Sequence, residues 1–227
     1  MTLDRTADHT PDHPAEHTAH RTPGGARAPR AGGARRREEI LAIAVETFAT
    51  RGYHHASLAE IAERAGLTQP GLLHHFRSKT ALLSGVLELR DNSEMAQLGT
   101  ERPRGLALLD HLVETVRRNA EREGIVRLYA VLSAESVTEG HPAQDFFRSR
   151  YTGLRALVAE ALTEACELGE TRADTDVESV ANAIIAVMDG LQLQWLLAPE
   201  SVDMAATTRR TIDALLADLR ADADRPA

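Results

Sequence analysis

The chain has 227 residues, is 43% hydrophobic and carries a formal net charge of −8, the profile of a globular protein with ample material for a core. It shows no signal-peptide start and no apolar run of 18 or more residues, so the expected compartment is the cytoplasm and no membrane partner is expected. Its single cysteine, Cys166, excludes an internal disulfide framework and a cysteine-rich metal site, and reads as a small buried helix residue.

The charge is unevenly distributed. Residues 1–20 carry −3, residues 21–90 carry +5 and residues 91–227 carry −10. A basic segment joined to an acidic remainder suits a molecule with one end facing phosphates and the rest facing water. Twenty-five of the 26 basic residues are Arg, a skew that a GC-rich genome produces. The one lysine, Lys79, therefore marks a position that favours an ammonium.

Residues 1–34 are rich in Thr, His, Pro, Gly, Ala and Arg without apolar periodicity, and read as a disordered leader. His9, His13, His17 and His20 recur at near-helical spacing. Pro11 and Pro14 interrupt any helix there and no acid or cysteine cluster completes a ligand set, so a solvated tail is expected and no metal site. Arg21, Arg27 and Arg30, followed by Arg35, Arg36 and Arg37, form either a basic arm for the DNA backbone or a solvated leader.

From Arg36 the pattern is helical. Ile40, Leu41, Ala44, Val45 and Phe48 make the core stripe of a first helix that ends at Gly52. Residues 57–79 then read as two short helices joined by a tight turn. Ser57 with Glu60 forms a capping box, and Leu58, Ile61, Ala62 and Ala65 give an apolar face. Gly66 suits a left-handed helix end, Thr68 caps the next helix and Pro70 falls in its first turn. That order of signals is the helix-turn-helix unit, whose second helix enters the DNA major groove. Ser78 starts a further helix carrying Leu82, Leu83, Val86 and Leu87.

After turn residues at 99–103, Leu106, Leu109, Val113, Val116 and Ala120 mark an amphipathic helix, and another spans about 124–138, ending at Gly140-His141-Pro142. Two later helices repeat apolar residues at spacings of four and three: Phe147, Tyr151, Leu154, Val158, Ala161 and Ala165, then Val177, Ala181, Ile184, Met188, Leu191 and Trp195. The short link between them, containing Gly169 and Asp174, predicts an antiparallel hairpin. The second helix carries Val180, Ala183 and Val187 beyond its main stripe. That excess suits either a helix buried within one protomer or a two-fold interface. On the second alternative Val158, Ala161, Ala165, Val180, Ile184, Val187 and Leu191 would meet a second copy. A last helix covers about 203–221. No stretch alternates with period two, so the fold class is all-α.

The signature in residues 36–90 resembles the tetracycline-repressor (TetR) family of bacterial transcription regulators. Gly52-Tyr53, the capped helix from Ser57 to Ala65, the turn at Gly66-Leu67, the helix from Thr68 to Phe76 ending in His75-Phe76, and Ser78-Lys79 match its pattern. Leu73 departs from it, standing where the family usually has Tyr. The resemblance implies a helix-turn-helix domain at 35–82, a larger helical effector-binding and dimerisation domain at 83–222, and a tail at 223–227.

The resemblance, with the chemistry of the recognition helix, implies DNA contacts at Arg36, Tyr53, Ser57, Thr68, Gln69, Pro70, Gly71, His74, His75 and Lys79. Gln69 can pair bidentately with adenine, and Gly71 allows close approach. His74 and His75 are adjacent and point about 100° apart, poor geometry for chelating one ion. The resemblance further implies a homodimer on a palindromic operator in double-stranded DNA, and a small-molecule effector whose binding releases a repressor. His111, Glu135, Gln192 and Tyr151, with Phe147 and Trp195 as walls, are the candidate effector contacts, or ordinary polar groups. An activator, a ligand-independent regulator and a helical protein-binding adaptor are the alternatives. No Gly-rich phosphate loop, Glu-x-x-His pair or nucleophile motif is present, so neither enzyme activity nor a cofactor is expected.

Overall fold

The structure, a computed structural model, describes residues 28–98 and 102–220, with the backbone alone for 28–31, 90 and 92–98. The four leader histidines, Arg21, Arg27 and the tail at 223–227 lie outside the described residues. Among those described there are nine helices and no strand: α1 (Ala28–His55), α2 (Leu58–Arg64), α3 (Gln69–His75), α4 (Lys79–Leu98), α5 (Ala107–Asn119), α6 (Glu123–Glu135), α7 (Gln144–Glu167), α8 (Val177–Leu197) and α9 (Met204–Leu219).

Two expectations about α1 and α2 need correction. The leader does not extend to residue 34, because α1 already begins at Ala28, where Pro29 falls in its first turn and Ala31 and Ala34 favour helix. The capping box at α2 is absent. Ser57 is extended at the N-cap without a side-chain cap bond, and Glu60 turns instead to Arg51 at 3.0 Å. The other joints follow local chemistry. Gly52 and Gly66 take φ of 68° and 64°. Thr68 Oγ1 accepts from the Gly71 N–H at 3.2 Å, and Ser78 Oγ from the Ala81 N–H at 3.0 Å.

The first core joins Ile40, Leu41, Ala44 and Phe48 of α1 to Ile61 and Ala62 of α2, Leu72 of α3, Phe76, and Leu82, Leu83 and Val86 of α4. Leu128 and Leu132 of α6 and Phe147 of α7 belong to the same cluster. The expected boundary at 82/83 therefore falls inside the continuous helix α4 and inside a continuous core. A second core gathers Leu109 and Leu112 of α5, Val158 and Leu162 of α7, Ala181 and Ile184 of α8, and Ile212 of α9.

Helix α8 is apolar enough, by length and composition, to cross a membrane, with a mean hydropathy of 1.4; the expectation that no such stretch exists is corrected. The reason is local: α8 packs against α6, α7 and α9, so several of its faces are met inside the protein. Val158, Ala161, Ala165 and Ile184 are at most 1% exposed, and Leu191 is 8% exposed. Val180 is half-buried against the second core, and Val187 against a third, smaller core of Val116, Leu191 and Met204. Those five buried side chains have little area to offer a partner, whereas Val180 and Val187 keep part of theirs exposed. Only part of the apolar excess of α8 is taken up by the protomer's own core, 22% of its most apolar stretch being buried.

Candidate functional sites: a recognition unit and a cavity

Helix α3 is a seven-residue segment held from below and open above. Leu72 is fully buried, while Thr68, Gln69, Pro70 and His74 are exposed. Gly71, Leu73 and His75 are half-buried. Three cations fix the unit rather than projecting freely. Arg36 donates to the Ala65 carbonyl at the end of α2 and to Glu39 Oε2 at 2.8 Å. Arg37 donates to the His75 carbonyl at 3.1 Å and lies 4.0 Å over the Phe76 ring. Arg64 reaches back to Thr47 at 3.0 Å and to Glu46.

At the other side of the unit, the Lys79 ammonium donates to the His54 carbonyl at 3.0 Å and sits 4.7 Å from the Tyr53 ring centre. Burial lowers its pKa, and the nearby Glu135 acts in the opposite sense. The Tyr53 hydroxyl shares a 3.0 Å hydrogen bond with Thr80. An ammonium has three donors, so the bond to His54 leaves Lys79 two more.

The larger feature is a cavity of about 520 Å³ among α5, α6, α7 and α8. Its walls are mostly apolar side chains, including Leu108, Leu112, Val126, Phe147, Leu154, Ile185 and Met188, with a band of polar groups: His111, Thr115, Asn119, Ser133, Arg150, Tyr151, Asp189 and Gln192. That size and mixture match sites for small organic molecules. Val137 and Leu193 line it although they are 82% and 55% exposed, which marks where it opens. Burial, reinforced by Arg118, lowers the His111 pKa and favours the neutral imidazole.

Helix α6 touches both features. Val126, Tyr129, Ala130, Ser133 and Ala134 line the cavity, while Leu128 and Leu132 enter the first core beside α1. At its C-terminal end, Glu135 Oε2 accepts the Tyr53 N–H at 2.7 Å. A buried imidazole stands behind this contact. His141 Nδ1 accepts the Ala143 N–H at 3.2 Å, so the neutral ring carries its proton on Nε2, which faces Glu135 at 3.6 Å without a hydrogen-bond partner. Burial lowers the His141 pKa, opposed by Glu135.

Comparison with known proteins decides the family. Residues 40–86 match the model for bacterial regulatory proteins of the tetR family, and residues 105–221 match that for the C-terminal part of BetI-type transcriptional repressors. The chain belongs to the TetR family. A Pseudomonas putida relative named "Probable HTH-type transcriptional regulator ArpR" is 30% identical over 81% of this chain and 91% of its own. The HTH-type transcriptional repressor BepR of Brucella suis is 27% identical over 88% and 99%. Among solved structures, GusR of Salmonella enterica aligns with a TM-score of 0.66 at 25% identity over 85% and 98%. SmeT in complex with triclosan aligns at 0.70 and 21% over 83% and 93%.

Within this TetR-family fold, His111, Phe147, Tyr151 and Gln192 line the cavity. Glu135 does not: it sits at the α1–α6 junction, because the last turn of α6 lies against Gly52 and Tyr53. Trp195 also lies elsewhere, packed with Val116, Leu191 and Met204 in the third core. Sequence reasoning missed Ser133, Arg150 and Asp189. An acid within a helix as apolar as α8 was the available signal for Asp189.

Proposed function

We propose that this TetR-family regulator is a homodimeric repressor that acts in the cytoplasm on a palindromic operator in double-stranded DNA and leaves it when a small molecule fills the cavity. The observation that carries this reading is the double duty of α6, which walls the cavity and holds Gly52-Tyr53 at the base of the recognition unit. A ligand that shifts α6 must either move α1 with it or break the Glu135 contact, so cavity occupancy and DNA geometry are linked. The triclosan complex of SmeT supports a small organic molecule as the effector.

Thr68, Gln69 and Pro70 meet base edges, with Gln69 the base reader. Ser57, Tyr53, His74, His75 and the remaining donors of Lys79 meet phosphates, and Arg36 positions α2. A seven-residue helix reads only a few base pairs, so two copies on a two-fold axis are needed, with half-sites about 34–36 Å apart or a multiple of it. The copies meet through the outward stripe of α8, where Asn182, Ala186, Leu193 and Leu197 fall on one face and are exposed, Leu197 at 79%.

A gel-shift titration on DNA flanking the protein's own gene tests the reading. The wild type is expected to shift a specific fragment, and Gln69→Ala to lose about 1–3 kcal/mol of discrimination at one symmetric base position. The absence of any specific shift at moderate salt overturns it.

A further inference from the structure

The joint between α1, α6 and α7 is closed around an ionisable ring, and only one protonation state of that ring fits it. The His141 side chain is fully buried. Pro142 has no N–H, so Ala143 supplies the first free donor of the chain entering α7. His141 Nδ1 accepts that donor at 3.2 Å, and the His141 carbonyl accepts the Gln144 N–H at 2.9 Å. The proton of the neutral ring therefore sits on Nε2, which points to Glu135 Oε2 at 3.6 Å, too far for a full hydrogen bond. The same Oε2 accepts the Tyr53 N–H at 2.7 Å. Tyr53 and His54 of α1 meet the ring edge-on, with centres 5.3 and 5.4 Å away. Lys79 of α4 stands beyond them, over the Tyr53 ring and within the field of Glu135.

We propose that His141 is a positioning residue for the Glu135–Tyr53 contact, and that its protonation releases the contact and weakens DNA binding. The proposal rests on the reading that the recognition unit binds DNA. A second proton enters at Nδ1, where an acceptor becomes a donor facing the Ala143 N–H. That bond is lost, and the turn into α7 opens beside Phe147, whose N–H is bonded to the Ala143 carbonyl at 3.0 Å. The new charge also strengthens the pull of Nε2–H on Glu135. To reach hydrogen-bond length the carboxylate must close the 3.6 Å gap, and it leaves the Tyr53 N–H to do so. Both effects loosen the base of the recognition unit. Burial lowers the His141 pKa against the pull of Glu135, and His54 adds to the lowering. The contact is therefore kept above the ordinary histidine range and lost as the pH falls below it.

The full-length protein provides the test in two arms. The first follows the His141 ring and the Tyr53 and Ala143 amides by NMR as the pH falls from about 8 to about 5. Both amides are expected to move with the ring. Glu135→Gln removes the neighbouring charge, so it is expected to shift the midpoint of the ring to lower pH, which a packing role alone would not do. The second arm measures affinity for an upstream duplex that the wild type retards, in wild type and in His141→Asn. Asn keeps an acceptor near Nδ1 and takes no proton. Wild-type affinity relative to the variant is expected to fall about tenfold over the same range. Protonation of His54, His55, His74 or His75 favours phosphate and acts in the opposite sense. The variant retains all four, so the ratio removes their effect.

Identical pH profiles for the two proteins, amides that ignore the ring, or a midpoint unmoved by Glu135→Gln overturn the proposal. The ring and amides are read on the wild type, so they decide the matter even if His141→Asn does not fold. If no duplex is retarded at any pH, the DNA-binding reading fails and the proposed loss of affinity with it, while amides that still follow the ring keep the acid-opened joint.

Discussion

Gly52 shows how one residue can be required twice. Its φ of 68° with ψ of 178° lies in a region open essentially to glycine. A Cβ there would also stand 2.0 Å from Glu135 Oε1, well inside contact distance. The turn that ends the regular part of α1 is thus shaped to receive the α6 carboxylate. Gly52→Ala is expected to cost about 1–3 kcal/mol of stability in urea unfolding from backbone strain alone. Combining it with Glu135→Ala relieves the collision, so the two losses are expected to be less than additive; simple additivity would show that the contact is not made.

At the scale of elements, Glu164 of α7 does for α5 what Glu135 does for α1. Its Oε2 accepts the Gly105 N–H at 3.0 Å, and its Oε1 takes Arg102 at 2.9 Å and Arg104 at 3.2 Å, so the start of α5 is clamped to α7. The backbone donor first, then the two guanidinium groups, hold the Glu164 carboxyl below the usual carboxylate range. A depressed pKa adds stability above the unfolded value and loses it as pH falls through the folded one. Glu164→Gln is therefore expected to be less stable than wild type at neutral pH, with the gap closing in thermal melts as pH drops below the ordinary carboxylate range. A gap that persists unchanged well below that range would exclude the clamp.

The sequence made some of these elements legible and hid others for physical reasons. The helices at 57–76 announced themselves because Gly66, Thr68 and Pro70 act on their own neighbours, and local chemistry is what a sequence displays. The capping box failed because Glu60 had a distant competitor in Arg51. Glu135 reads as an effector contact because it is a polar residue in an apolar helix, and Trp195 as a wall of the same site. Which side of α6 or α8 faces a cavity depends on packing between helices far apart in the chain. The apolar excess on α8 was visible, but a core of four helices and a two-fold interface leave the same pattern.

At the scale of the molecule, the split of charge follows the fold. The basic segment from 21 to 90 contains the recognition unit, and the acidic remainder contains the cavity. Several of the cations nearest α3 are committed to carbonyls and carboxylates of the unit itself, so they stiffen the reading head and leave Thr68, Gln69 and His74 exposed on it. The measurement that bears most directly on this arrangement is a hydroxyl-radical footprint of the wild-type protein on its own upstream DNA. Two protected patches of equal size are expected, related by two-fold symmetry and centred about one helical turn, or a multiple of one turn, apart. A single patch, or protection spread evenly along the fragment, would contradict a dimer that reads DNA through α3.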